Sequence, residues 1–344
     1  MIRAKELMPK AFGNVLVRTV ALNVGQGDST LFFIRDGFRY ATMLVDINMG
    51  GKIALDVPAL IKSILGKEKL DIFLNTHPHE DHLHGIDELD TKVGFKKVML
   101  ADYNPGKGTN VYYDVFDKIV KRMKKESAKS VELIDGSYSV QELFDAQLHV
   151  LAPAEYVTDD TADKSKKERR ELIHENCVVL KVGDGKKWVL QPGDADYDAF
   201  KKHIYDAHKK DLKSTLLLAS HHGSKHFFWP QNEDNADEPW REPLDAINPD
   251  YVIISAPRRS ESKHDHPDKE ALDIYEAKVE KSHVYHTGAK RESFIFDIYD
   301  DGTTSGVYSD DGGLMQDFQI GKDEEIPFVA PTKANGDEKP RQFG

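Results

Sequence analysis

The chain has 344 residues, of which 39% are hydrophobic and 31% are charged, a composition typical of a globular protein with a core of its own. It has no apolar run near the roughly 18 residues that a membrane span needs, so we expect no membrane segment. The formal net charge of −12 argues against indiscriminate binding to long nucleic acid, because a polyanion would be repelled.

Predicted strands and helices alternate along most of the chain. In chain order we expect strands at 15–24, 31–34 and 42–45, a helix at 56–65, a strand at 70–74 and a helix at 111–125. Strands follow at 148–151, 177–182 and 188–190, then a helix at 199–207 and strands at 215–219 and 251–255. A helix at 269–279 and strands at 283–286 and 293–298 complete the pattern. We expect one domain over 1–321, with loop insertions at 155–170 and 227–244 and a disordered tail at 322–344.

Two features of the chain predict its compartment. The N-terminal segment lacks the apolar stretch of a secretory signal. The single cysteine, Cys177, has no partner for an internal disulfide, which fits a reducing compartment. We therefore expect a cytoplasmic protein.

The 15 histidines are clustered, and the densest cluster follows the predicted strand 70–74 in the run NTHPHEDHLHG at 75–85. In extended geometry His77 and His79 project to the same side, so they can share one metal ion. Asp81 and His82 come as the chain turns and can reach a second ion, while His84 is expected to support the ligands or to begin the next helix. Imidazole and carboxylate suit Zn²⁺, with Mn²⁺ or Fe²⁺ as alternatives.

Two later strand ends carry the remaining predicted ligands. Gly193-Asp194 follows the apolar strand 188–190. Alone this pair is usually a turn, but together with the histidine run it predicts a carboxylate that bridges two ions. The predicted strand 215–219 ends in His221-His222, one of which should complete the second ion's ligands while the other contacts substrate or a ligand carboxylate.

Candidate substrate groups lie near these ligands in sequence. Ser224 and Lys225 follow the histidine pair and could hold an anionic group. His266 is a candidate catalytic acid or substrate contact, and a histidine that merely begins a helix is the alternative. The loop before it holds a basic patch that suits a phosphate ester, formed by Arg258, Arg259 and Lys263.

In this order the motifs resemble the metallo-β-lactamase superfamily, whose mark is His-x-His-x-Asp-His followed by Gly-Asp and a late histidine. Within it, the chain is most similar to the hydrolase domain of competence DNA-uptake channels of the ComEC type. That likeness covers roughly residues 17–300 and uses LNVGQGDS at 22–29, LVD at 44–46, HHGS at 221–224 and HP at 266–267. It implies a four-layer αββα sandwich with the metals at one edge between two sheets.

The resemblance also implies roles for single residues. Asp46 would be a structural acid at the end of an early strand, and Asp28 would line the site. The implied ligands are His77 and His79 for one ion, Asp81 and His82 for the other, and Asp194 between them. Many members use a further histidine before Gly-Asp, and here His149 and His174 are available, although neither lies at a convincing strand end.

The expected reaction is hydrolysis of a phosphodiester in DNA, RNA or a small nucleotide by a water that two divalent ions activate. Asp81 or Asp194 would orient this water. The candidates to bind or protonate the leaving group are Lys225, His222 and His266. The acidic charge favours single strands or short nucleotides as substrates over long duplexes.

Two alternatives remain open. The same centre could hydrolyse a carboxylic ester, a thioester or a lactam, because one fold hosts many chemistries. The chain could instead be an effector or subunit of a larger assembly, for example in defence, that needs a partner docked through 227–244 or through the tail. The oligomeric state does not follow from the sequence.

Overall fold

The computed structural model describes residues 1–51, 53–137, 139–231 and 238–320. The strands, in chain order, are β1 (Val15–Ala21), β2 (Thr30–Asp36), β3 (Arg39–Val45), β4 (Leu70–Asn75), β5 (Phe95–Leu100), β6 (Val131–Leu133), β7 (Gln141–Leu143), β8 (Ala146–Ala152), β9 (Val179–Gly183), β10 (Trp188–Gln191), β11 (Leu216–Leu218), β12 (Tyr251–Ile254), β13 (Val284–His286), β14 (Phe294–Tyr299) and β15 (Thr304–Ser309). They form two mixed sheets. One has the order β15-β14-β1-β2-β3-β4-β5-β6, and the other has the order β13-β12-β11-β10-β9-β8-β7.

Helices cover the outer faces of the two sheets. They are α1 (Ala4–Leu7), α2 (Val57–Leu65), α3 (Ile86–Lys92), α4 (Val111–Glu126), α5 (Glu155–Ala162), α6 (Lys166–Glu171), α7 (Tyr197–Ala199), α8 (Tyr205–His208), α9 (Glu242–Ile247), α10 (Lys269–Val279), α11 (Thr287–Lys290) and α12 (Gly313–Phe318). A π-helical stretch, Phe200–Ile204, joins α7 to α8. None of the helices in the described part of the chain is long and apolar enough to cross a bilayer.

Three apolar layers separate four layers of secondary structure. One packs the first sheet against α1 to α4 and α12, a second lies between the sheets, and a third packs the second sheet against α7 to α10. Because side chains alternate along a strand, Phe73 of β4 faces the helices while Ile72 and Leu74 face the other sheet. Both faces of such strands are buried, which explains their nearly continuous apolar sequences. The expected α/β four-layer sandwich is confirmed.

Parallel pairing places several loops at the same sheet edge. β3, β4 and β5 run parallel to one another, as do β10, β11 and β12. The loops after β4, β10 and β11 therefore emerge where the two sheets come together, and His82 Nε2 and His222 Nε2 lie 3.3 Å apart there. This edge holds the histidine-rich segments.

The prediction of a loop insertion at 155–170 is wrong, because this segment forms α5 and most of α6. Ser165 caps α6 in a reciprocal capping box with Glu168, which stabilises a helix despite the lack of an apolar face. In the predicted insertion 227–244, α9 begins at Glu242, and residues 232–237 lie outside the described part. The predicted tail at 322–344 also lies outside it. The limits of the single domain stay a prediction.

Candidate metal centre

The first group of side chains gathers around His77 and His79, which follow β4. Their ligand nitrogens, one nitrogen of His174 and one oxygen of Asp194 all lie within 4.8 Å of one another. His77 Nε2 is 3.1 Å from His79 Nδ1, and His174 Nε2 is 3.3 Å from the same His79 atom. His77 Nε2 also lies 3.5 Å from Asp194 Oδ2. Three imidazoles and a carboxylate whose ligand atoms lie this close together form a donor set that suits a divalent ion.

The second group lies on the other side of Asp194 and contains Asp28, His82 and His222. His82 Nε2 and His222 Nε2 lie 3.2 and 3.4 Å from Asp194 Oδ1. His222 Nδ1 is 3.5 Å from Asp28 Oδ1, and His222 Nε2 is 3.4 Å from Asp81 Oδ2. Asp194 therefore turns one carboxylate oxygen to each group.

Buried atoms without partners show that these residues fit divalent cations. Asp194 is 2% exposed, and its Oδ1 atom makes no hydrogen bond in the described structure. The Nδ1 atoms of His221 and His222 are likewise buried without a hydrogen bond. Buried polar atoms normally have a partner, and a cation would supply one here.

Asp46 fixes the orientation of His82 from behind. One of its oxygens accepts from His82 Nδ1 at 2.8 Å and from the Thr76 hydroxyl at 2.5 Å. The other accepts from the Thr76 amide at 2.7 Å and from Asn75 Nδ2 at 3.0 Å. With Nδ1 bound to the carboxylate, Nε2 of His82 is directed at Asp194 and His222, as is typical of a histidine ligand. The structural role that the resemblance implied for Asp46 agrees with this geometry.

The backbone at the site is held in unusual conformations. His221 and His222 both have positive φ, 50° and 57°, which non-glycine residues adopt only where the surroundings hold them. Gly27 has φ +114°, and a Cβ there would lie 2.3 Å from the carbonyl oxygen of Asp81. The loop of Gly27 and Asp28 is thereby pressed against the histidine loop, which leaves no space for a side chain.

Burial and mutual charge set the protonation of the group. Burial lowers the pKa of His79 to about 4 and that of His221 to about 3, so both imidazoles are neutral at pH 7. Burial alone would raise the pKa of Asp194, yet the facing histidines, led by His222 and His82, hold it well below 3.8. Burial would lower the pKa of His82 and His222 as well, yet the facing Asp194 carboxylate raises both well above 6.5, so a divalent ion that binds there must displace their protons.

His174 is the one member of the first group that the sequence left undecided. It lies just after α6, away from any strand end, and its ring packs against His79 and His221 at centroid distances of 4.9 and 4.7 Å. Its Nδ1 lies 3.4 Å from Asp196, which orients the ring. The alternative, His149, lies on β8 beside His208 and is not in either group. The sequence could have favoured His174 over His149 only because His174 is the nearer of the two to the Gly193-Asp194 turn.

His221 and His266 lie at the border of the two groups. His221 Nε2 is 3.6 Å from Asp194 Oδ2, but it belongs to neither set of atoms within 4.8 Å. The ring of His266 lies 5.5 Å from that of His221, and its Nδ1 lies 3.7 Å from Asp268. His266 is thus close to the centre without being one of its grouped ligands.

Most of the predicted substrate groups lie outside the two groups of ligands. Ser224 is fully buried and its hydroxyl accepts from the His226 amide, so it caps a short helix. The side chain of Lys225 is exposed. Arg258 donates to the carbonyl oxygens of Gly288 and Ala289, while Arg259 and Lys263 are exposed.

No family model and no curated protein matches the chain. Among solved structures, it is similar to the metallo-β-lactamase fold protein YhfI from Bacillus subtilis, with 16% identity, a TM-score of 0.42 and coverage of 78% of this chain and 95% of that one. It is also similar to the metallo hydrolase Igni18 from Ignicoccus hospitalis, with 14% identity, a TM-score of 0.46 and coverage of 78% and 94%. A diphosphatase of the PhnP family gives 15% identity, a TM-score of 0.40 and coverage of 79% and 94%. Likenesses this low carry no weight for activity, and none bears on the ComEC-type resemblance.

Proposed function

We propose that the chain is a metal-dependent hydrolase of the metallo-β-lactamase superfamily that acts on phosphodiesters. The observation that carries the proposal is the position of Asp194, whose two carboxylate oxygens face two separate groups of ligands. A shared carboxylate holds two ions at the short separation that hydrolysis of a phosphate ester uses.

The proposed ligands differ in part from those expected from the sequence. His77, His79 and His174 would hold one ion, and Asp194 would be shared with the other. Asp28, His82 and His222 would be the remaining ligands of the second ion, with Asp81 beside His222. A set this rich in imidazole favours Zn²⁺, with Mn²⁺ as the alternative.

Two divalent ions bound here would lower the pKa of a water and stabilise negative charge on the oxygens of a phosphate. Asp81 lies at the rim of the second group with its side chain 31% exposed, so it can orient that water. His266 lies next to His221, with its Nδ1 3.7 Å from Asp268, and is the candidate to donate a proton to the leaving oxygen. Lys225 stays the candidate for binding the leaving side of the substrate.

The test is a comparison of two substrates. The purified protein is assayed on bis-p-nitrophenyl phosphate and on p-nitrophenyl acetate, together with a His77→Ala/Asp81→Ala double variant. His149→Ala is the matched control, because it removes a buried histidine outside both groups. The proposal predicts diesterase activity that the double variant loses and the control keeps. Activity on the acetate ester alone would instead support the carboxylic ester alternative.

Failure on both substrates by a protein that retains its metal would favour the third hypothesis, in which activity requires a partner. The docking segments suggested for it, 227–244 and the tail, lie wholly or partly outside the described residues.

A further inference from the structure

Basic side chains gather beside the first group of ligands, on α6, just before α6, and on the loop 101–110 that follows β5. This cationic cluster comprises Lys107, Lys164, Lys166, Arg169 and Arg170. The loop leaves the same sheet edge as the histidine loop, since β4 and β5 are parallel neighbours. Asn110 also donates to the carbonyl oxygen of Pro78 at 2.8 Å, and His174 follows α6 by three residues. The cluster therefore flanks the candidate metal centre.

Specific contacts hold α6 and this loop together. The Arg170 guanidinium donates to the carbonyl oxygen of Gly108, and the Tyr103 hydroxyl donates to a carbonyl oxygen of α6. The stem of Lys166 lies over Gly106, which has φ +91° and where a Cβ would come within 3.1 Å of Lys166 Cγ. Glycine at this position lets the lysine lie across the loop.

The cluster has few acidic partners within the described part of the chain, although Glu168 interacts electrostatically with Lys164. None of its five members forms an ion pair there, although lysine and arginine side chains pair with carboxylates elsewhere in the described residues, as Lys167 does with Glu171. Arg170 has only neutral partners, and Arg169 Nε is buried without a hydrogen bond. The acids Asp114 and Glu168 accept hydrogen bonds from backbone amides instead. In a protein with a net charge of −12, these five cations next to the candidate metal centre are therefore available to an anionic ligand.

We propose that the cationic cluster binds backbone phosphates of a polynucleotide strand next to the phosphodiester that is cleaved. The inference rests on the proposed function and narrows its substrate from any phosphodiester to a strand of several nucleotides. The loop with Arg258 and Lys263 flanks the opposite side, because Ser262 donates to Gln26 beside the Asp28 loop. A strand across the centre meets cations on both sides, whereas a mononucleotide reaches only the centre.

The experiment compares a Lys107→Gln/Lys166→Gln variant with the wild type in binding and in cleavage. Both lysines are exposed, so the substitutions leave the core intact. Lys124→Gln/Lys125→Gln is the control, since it removes the same charge from the last turn of α4, remote from the helix end that contacts the histidine loop. Circular dichroism checks that all three proteins are folded.

Binding of fluorescein-labelled 20-nucleotide DNA and RNA strands is followed by anisotropy on ice at several salt concentrations. A denaturing gel of each sample checks that the strands stay uncleaved during the measurement. The wild type is expected to bind. Loss of two phosphate contacts in the cluster variant should weaken binding about tenfold. It should also reduce the slope of log K against log salt concentration by about 1.4 in magnitude. Cleavage of bis-p-nitrophenyl phosphate should be unchanged. A wild type that binds no strand, an unchanged slope in the cluster variant, or an equal loss in the control would overturn the inference.

The binding and hydrolysis measurements test two separate hypotheses. Strand binding that depends on the cluster, without hydrolysis of any diester, would contradict the proposed reaction and leave the binding surface supported. Diester hydrolysis without strand binding would support the proposed reaction and contradict the binding surface.

Discussion

Replacing Asp46 by Asn exchanges one buried carboxylate oxygen for an amide nitrogen and should weaken the binding of one of the two proposed ions. Asparagine tolerates the left-handed backbone of residue 46, which has φ 57°, so the fold should survive. Its amide can, however, face His82 Nδ1 with an N–H group. The imidazole would then carry its proton on Nε2, the nitrogen that is directed at Asp194 and His222.

The size of the effect follows from the contacts of Asp46. Loss of a carboxylate behind a histidine ligand typically weakens metal binding by about 10- to 100-fold, which is about 1.4 to 2.7 kcal/mol. The Thr76 hydroxyl and amide also donate to this carboxylate, so the metal-free protein should lose about 1 to 3 kcal/mol of stability.

Competition with a chromophoric zinc chelator measures the affinity of each ion, and urea unfolding of the metal-free protein measures the stability. We expect the affinity of the second group, which contains His82, to fall and that of the first group to change little. Asp71→Asn is the control, because Asp71 is also buried and accepts from the Thr42 amide, but far from the ligands. An Asp46→Asn protein that binds two ions with wild-type affinity would refute this account of His82.

Three further substitutions have expected outcomes. Gly27→Ala should displace the Asp81 loop and abolish metal binding, as measured by elemental analysis, because its Cβ would lie 2.3 Å from a carbonyl oxygen. His174→Ala should lose one ion per chain by the same measurement, whereas His149→Ala should lose none. Burial lowers the pKa of Lys181 to about 8, below its ordinary 10.5. The folded chain therefore releases this proton at a lower pH than the unfolded chain does. The free energy of unfolding, measured in urea relative to Lys181→Met, should therefore rise between about pH 8 and 10.5.

Each of these predictions has a result that contradicts it. Gly37→Ala places alanine at φ +61° with no atom within 4 Å, so it controls for backbone strain alone and should keep its metal. Equal metal loss in the two glycine variants would show that packing at Gly27 is not the cause. Equal metal content in the two histidine variants would remove His174 from the centre. A pH-independent difference for Lys181→Met would contradict the lowered pKa.

Strand ends could be identified from the sequence because a buried strand that runs into polar residues has a strong local signature. His77, His79 and Asp194 were placed in this way, and the structure brings them together. His174 could not be chosen over His149 by local pattern, because its position depends on how α6 packs against the histidine loop. That is a tertiary contact between residues about a hundred positions apart.

The segment of α6 is a helix that the hydrophobic pattern of the sequence does not predict. Its lysines and arginines have no apolar periodicity, so the pattern predicted a loop. The helix forms because Ser165 and Glu168 satisfy its first amides and because Arg170 bonds to the loop after β5. Similarly, Ser224 looked available to a substrate, but the left-handed turn at His221 and His222 directs it inward.

Crystals grown with zinc and measured at the zinc absorption edge would show whether two ions share Asp194. We expect two anomalous peaks per chain, one among His77, His79 and His174 and one among Asp28, His82 and His222, with the Asp194 carboxylate between them. A single peak, or well-ordered crystals without a peak at this edge of the sheets, would contradict this expectation.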